Sequence, residues 1–114
     1  MIVRVSRLRI REGHEARVLD AIRAMSATMG ETQGLRGAWF GRSIDDYGSW
    51  LVAITEWDYL EAIQAVFGND TWMRGTMLPG LEDTITDTTV QHYEATLEDV
   101  SEMFERRRSA EGTR

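Results

Sequence analysis

The nine residues Ser49–Trp57, SWLVAITEW, decide the fold class. Trp50, Val52 and Ile54 alternate with Leu51, Ala53, Thr55 and Trp57, and both sets are largely apolar. Side chains of a strand point to opposite faces at a period of two, so a strand apolar on both belongs in the middle of a covered sheet. Just upstream, Leu35–Ser43 reads as a weaker strand carrying Trp39 and Phe40; Gly34, Gly37 and Gly41 predict a bend or bulge in it. Asp45-Asp46-Tyr47-Gly48 is a turn signal between the two runs, which makes them an antiparallel hairpin.

Working outward, Met1–Ile10 is a further strand, with Val3 and Val5 on one face and Ile2, Leu8 and Ile10 on the other. Arg4 and Ser6 interrupt that second face. Val18, Ile22, Met25 and Met29 recur at helical spacing and predict an amphipathic helix over His14–Met29, closed by Gly30 as a left-handed C-terminal residue. Asp58 and Glu61 have the spacing of a capping box for a second helix, whose face is Leu60, Ile63 and Phe67 and whose end is Gly68. Asp70–Met77, with Trp72 and Met73, predicts another short helix; Leu78-Pro79-Gly80-Leu81 predicts a turn and Thr84–Tyr93 a last strand. Thr96 and Asp99 open a terminal helix carrying Leu97, Val100 and Phe104. The order is β-α-β-β-α-β plus a tail helix, an α+β, ferredoxin-like arrangement with an antiparallel sheet. Residues 1–96 form the domain, and residues 97–114 a C-terminal helix with a frayed tail. Such a sheet carries helices on one face only, so a second copy of the chain is expected to cover the other, giving a homodimer through the sheet face.

Composition narrows the function classes. The 114 residues carry 13 basic and 19 acidic side chains for a net charge of −6, and every basic residue is arginine. Residues 1–43 have a net charge of +4 and residues 44–114 one of −10. The acidic balance argues against nucleic-acid binding, which needs a concentrated basic patch. No cysteine is present, so disulfides, thiolate metal sites and cysteine nucleophiles are excluded; His14 and His92 are too few for a histidine metal site. No apolar run approaches the ~18 residues of a membrane span, and no signal-peptide layout is visible. A soluble, cytoplasmic protein is expected.

Four segments carry a resemblance. Met1-Ile2-Val3-Arg4-Val5, the turn Arg11-Glu12-Gly13-His14-Glu15, the strand Leu51-Val52-Ala53-Ile54-Thr55-Glu56-Trp57 and the pattern Trp57-x-x-x-Glu61-Ala62 resemble the antibiotic-biosynthesis monooxygenase family of dimeric α+β barrels over about residues 1–94. That resemblance implies a small dimeric barrel; its members include cofactor-free quinone-forming oxygenases, quinol oxygenases, haem-degrading oxygenases and proteins without known activity. Quinone-forming members place an Asn four positions before the third-strand Trp. Here the Trp is Trp57 and the Asn position is Ala53, which removes a polar group able to hold an oxyanion. The positions matching the haem-degrading set are Ser6, Val66 and Gly75 or Thr76, none of which ligates iron. The Leu78–Leu81 turn is similar to one in some quinone-forming members.

The implied activity is cofactor-independent oxidation of an electron-rich aromatic, of anthrone or quinol type, by O₂. On that reading Trp57 and Trp72 wall a flat substrate, with Ser6 and Ala53 on the same surface. Arg74 or Arg4 pairs with its anionic oxygen, because a planar guanidinium recognises such oxygens at fixed geometry. His92 moves the proton, since an imidazole titrates near neutrality. Each residue also has a plainer reading: Trp57 and Trp72 as core aromatics, His92 as a structural or interface histidine, and the arginines of strand one as ion pairs. A second class of function stays open, a non-catalytic dimeric barrel that binds a small apolar ligand or serves as an assembly module. Haem binding without degradation is a third.

Overall fold

The computed structural model describes residues 1–45, 50–74 and 80–95. Its elements are β1 (Ile2–Ile10), α1 (Glu15–Met29), β2 (Leu35–Arg42), β3 (Trp50–Trp57), α2 (Leu60–Phe67) and β4 (Ile85–Glu94), with a 3-10 turn at Glu82–Thr84. The four strands form one antiparallel sheet in the order β2-β3-β1-β4. This is the ferredoxin-like α+β arrangement expected from the sequence. The register of β2 on β3 jumps between Leu35 and Gly37, so the glycine-weakened strand does carry its bulge.

Alternation sorts the sheet into two faces. Leu8, Ile10, Leu51 and Trp57 are buried on the helix side. Val3, Val5, Arg7 and Arg9 of β1 therefore lie on the other side, level with Glu56, Ile54, Val52 and Trp50 of β3. Among the described residues no element covers that second face, and its apolar members stay half-exposed. The helix-side core has two parts. Val18 and Ile22 of α1 pack with Leu8, Ile10, Leu51 and Leu81; Ala62 and Ile63 of α2 pack with Trp57. Between the two parts runs a seam.

Three local expectations are corrected. Gly30 ends α1 in right-handed geometry, with φ −63°, rather than left-handed; Gly34, with φ +81°, makes the reversal into β2 instead. Asp58 does not cap α2: the N-cap is Tyr59, without a side-chain capping bond. Asp58 is drawn away by Arg36, whose Nε lies 3.0 Å from its Oδ1, while its backbone N–H donates to the Gly34 carbonyl at 2.8 Å. Within the described part of 70–77, residues 70–74 form turns rather than helix, closed by Trp72 N–H to Gly68 O and Arg74 N–H to Thr71 O. Most of the Asp45–Gly48 turn, the first half of the Leu78–Leu81 turn and the terminal helix lie outside the described residues.

Gly34 carries a double constraint. Its φ is positive, and a Cβ there would stand 2.5 Å from the Cβ of Ala62, a buried residue of α2. Gly13 has φ +88° with nothing within 4 Å of an added Cβ. Gly34→Ala is expected to cost roughly 2–4 kcal/mol, backbone strain plus overpacking. Gly13→Ala should cost only the strain, about 1 kcal/mol. Urea unfolding of the two variants beside the wild type separates the contributions.

Candidate active site

The seam between the two halves of the core is a cavity. Its floor is three cross-strand pairs on the helix face of the sheet: Arg4 opposite Thr55, Ser6 opposite Ala53 and Leu8 opposite Leu51. Phe40 of β2 continues the floor beside Ala53. Ile22, Met25 and Met29 of α1 form one wall, and Phe67 at the end of α2 forms the other. The enclosed space is about 40 Å³, and it opens through a mouth to solvent. Among the described residues the lining is neutral and mostly apolar, apart from the Arg4 guanidinium.

That guanidinium belongs to Arg4, which is 1% exposed. Its Cζ lies 3.6 Å from the centre of the Phe67 ring, close enough for the planar cation to rest on the aromatic face. Burial pushes the Arg4 pKa down to about 10, because the low-dielectric seam disfavours the charged form. Ionisation at neutral pH is still nearly complete.

Trp57 is fully buried and does not line the cavity. It braces two residues that do. Its Nε1–H donates to Thr55 Oγ1 at 2.8 Å, and its ring meets Phe67 edge-on at 6.2 Å between centroids and 68° between planes. The expected substrate wall is thus a support behind the wall.

His92 and Trp72 are brought together elsewhere. Their rings meet edge-on at 4.8 Å, and they line a separate open depression with Ile2, Asp58, Leu60 and Glu94. His92 stands directly opposite Arg4 across the β1–β4 pair, and its Nε2 is buried without a hydrogen-bond partner among the described residues. Desolvation, and secondarily the charge of Arg4, lower its pKa, so the imidazole is neutral at pH 7. Arg74 is exposed and lines neither space.

The sites expected from the sequence therefore separate. Arg4, Ser6 and Ala53 share the cavity, His92 and Trp72 share the depression, and Trp57 lies in the core. Sequence reading passed over Phe67 as an ordinary helix-face residue. Its one signal was position, the last helical residue before Gly68, whose φ of +93° ends α2. Thr55, Met25 and Met29 were equally silent, since nothing in their spacing distinguishes a cavity wall from a packed core. Among the described residues, no group of three or more His, Asp or Glu side chains converges as a metal site. No described helix is long and apolar enough to cross a membrane. Of the positions matching the haem-degrading set, Ser6 faces the cavity and Val66 is a half-buried part of the α2 core; neither can ligate iron.

Comparisons with known proteins agree with this architecture. The sequence profile described as antibiotic biosynthesis monooxygenase matches residues 1–75. No curated protein matches the chain significantly. Among solved structures, an antibiotic biosynthesis monooxygenase superposes with a TM-score of 0.69 at 17% identity, covering 85% of this chain and 100% of the other. A point mutant of SnoaB, a cofactor-independent oxygenase from Streptomyces nogalater, superposes with 0.63 at 16% identity, covering 85% and 94%. A mutant of MhuD with two manganese protoporphyrin IX molecules bound per active site gives 0.63 at 15% identity, covering 87% and 98%. At such identities these likenesses concern the fold; the profile match spans well over half of the sequence. The chain belongs to the antibiotic biosynthesis monooxygenase family.

Proposed function

We propose that the seam cavity binds a flat, electron-rich aromatic of anthrone or quinol type and promotes its oxidation by O₂ without a cofactor. The observation that carries this reading is the buried guanidinium of Arg4 facing an otherwise neutral, largely apolar cavity. A phenolate or enolate is a strong reductant toward O₂. The protein's task is to desolvate the aromatic body, hold it flat and stabilise its oxyanion. For an anthrone, the ring methylene becomes a quinone carbonyl. One atom of O₂ bonds to that carbon, both C–H bonds break, and the second oxygen atom leaves as water. The residues available are Arg4 for the oxyanion, with Ser6 and Thr55 beside it. Ala53 leaves space where quinone-forming relatives carry an amide, so among the described residues the electrostatic task falls to Arg4. His92 lines the neighbouring depression and not this cavity, so the substrate's proton leaves to solvent at the cavity mouth.

In an oxygen-electrode assay with a dithranol-like anthrone, protein is expected to accelerate O₂ uptake, and Arg4→Met to lower that acceleration by about 10²-fold. Equal uptake with and without protein overturns the oxygenase reading. Ala53 favours one alternative, ligand binding without turnover, and saturable quenching of tryptophan fluorescence by the anthrone in the absence of uptake would establish it.

The homodimer belongs to this proposal as well. Val3, Val5, Trp50, Val52 and Ile54 make a half-exposed apolar face that one chain leaves open. Sedimentation at micromolar concentration should give a dimer, and Ile54→Glu should give a monomer.

His92 supplies a pH dependence with a definite sign. Its folded pKa lies below the unfolded value of about 6.5, so the folded state disfavours the proton. Its contribution to stability is complete above pH ~6.5 and is lost as pH falls toward the folded pKa. Arg4 from β1 adds repulsion to the imidazolium, while Asp58 and Glu94 rim the same depression. Denaturant midpoints measured from pH 7.5 to 5 should fall less steeply in His92→Gln than in the wild type.

A further inference from the structure

The Arg4 guanidinium has one large neighbour whose geometry is itself over-determined. Phe67 lies 3.6 Å from its Cζ; Trp57 meets its ring, and the end of α2 fixes its backbone. Trp57 presses edge-on against it from the core. Gly68 follows with φ +93° and donates its N–H to Gln64 O at 2.8 Å, which ends the helix at Phe67. The Thr71 hydroxyl then returns to donate to the Phe67 carbonyl oxygen. A Cβ on Gly68 would stand 2.6 Å from Thr71 Oγ1, so this return depends on glycine.

An arginine side chain has four rotatable bonds, and its donors recognise an oxyanion only when the guanidinium plane is oriented. A ring 3.6 Å from the Cζ limits the rotations open to that side chain and favours the cation without competing for its donors. We infer that Phe67 is a positioning residue: packed against the Arg4 guanidinium and braced by Trp57, it restricts how the cavity's cation meets an anionic aromatic oxygen, and so makes the cavity selective for ionised over neutral aromatic ligands. The inference rests on the proposal that Arg4 receives the ligand's oxyanion, and it assigns to α2 a part in recognition that extends beyond closing the core.

The test separates the two ideas. The probe is 4-nitrophenol, whose ionised form absorbs in the visible, beside 4-nitrotoluene as a neutral ligand of nearly the same shape. Wild-type protein is expected to lower the apparent pKa of bound 4-nitrophenol by about one unit or more, the effect of a nearby cation. Phe67→Leu should reduce affinity for the nitrophenolate by about 5–10-fold and shrink that pKa shift, while binding 4-nitrotoluene within about twofold of the wild type. Phe67→Trp, which restores an aromatic face, should recover both. A ring that only fills space would lose affinity for the two probes equally. If Phe67→Leu does not fold, Phe67→Met, a flexible chain of similar reach, carries the same comparison. No pKa shift in the wild type overturns the oxyanion role of Arg4. A wild-type shift that survives unchanged in a folded Phe67→Leu or Phe67→Met variant overturns the positioning role of Phe67 and leaves Arg4 standing.

Discussion

The fold turns on the burial of one indole. Trp57 closes β3, stands level with Ile2 of β1 and Leu35 of β2, and packs against Ala62 and Ile63 of α2. It is the largest fully buried side chain among the described residues, and complete burial of a tryptophan is uncommon because its N–H needs a partner. Thr55, two residues back on the same strand face, provides that partner. With the indole held, the direction in which the chain leaves the sheet and starts α2 is settled. The far end of α2 then delivers Phe67 to the seam.

From that anchor the candidate site follows as a consequence of packing. Two half-cores, one under each helix, meet imperfectly, and the gap between them receives Arg4 from the central strand. A charge on the inward face of β1 is costly in an apolar setting, and the Phe67 ring offsets part of that cost without hydrating the cavity. The outcome is a cation held in a water-poor space.

The uneven charge along the chain has a partly structural explanation. Arg17 with Asp83 and Arg36 with Asp58 join the basic first third to the acidic remainder, and the Arg11 side chain reaches the Asp83 carbonyl. These pairs are exposed and weak. Their effect is local and geometric: Arg36 diverts Asp58 from the helix cap that its spacing advertised. On the outer face, Arg7 and Arg9 lie over Trp50 at 4.7 and 5.9 Å, so strand-one arginines also shield an aromatic that the single chain leaves half-exposed.

The sequence by itself determined the class of the fold. Period-two runs at Ser49–Trp57 and Met1–Ile10, a helical period at Val18–Met29 and glycines at the breaks encode strand, helix and order locally, and local patterns survive without knowledge of contacts. It also marked Arg4 and Ser6 as polar intrusions on an otherwise apolar face, and those two do line the cavity. Tertiary structure alone decided which candidates share a site. Trp57 moved from substrate wall to buried brace, because strand alternation tells which face a residue takes but not how deep the helices bury it. His92 and Trp72 were set in their own depression, because β4 pairs at the sheet edge and brings His92 beside the turn after α2 that carries Trp72. Phe67 acquired a role invisible in the chain: a phenylalanine at a helix end has no signature until the fold lays a guanidinium from a strand 63 positions earlier against its ring.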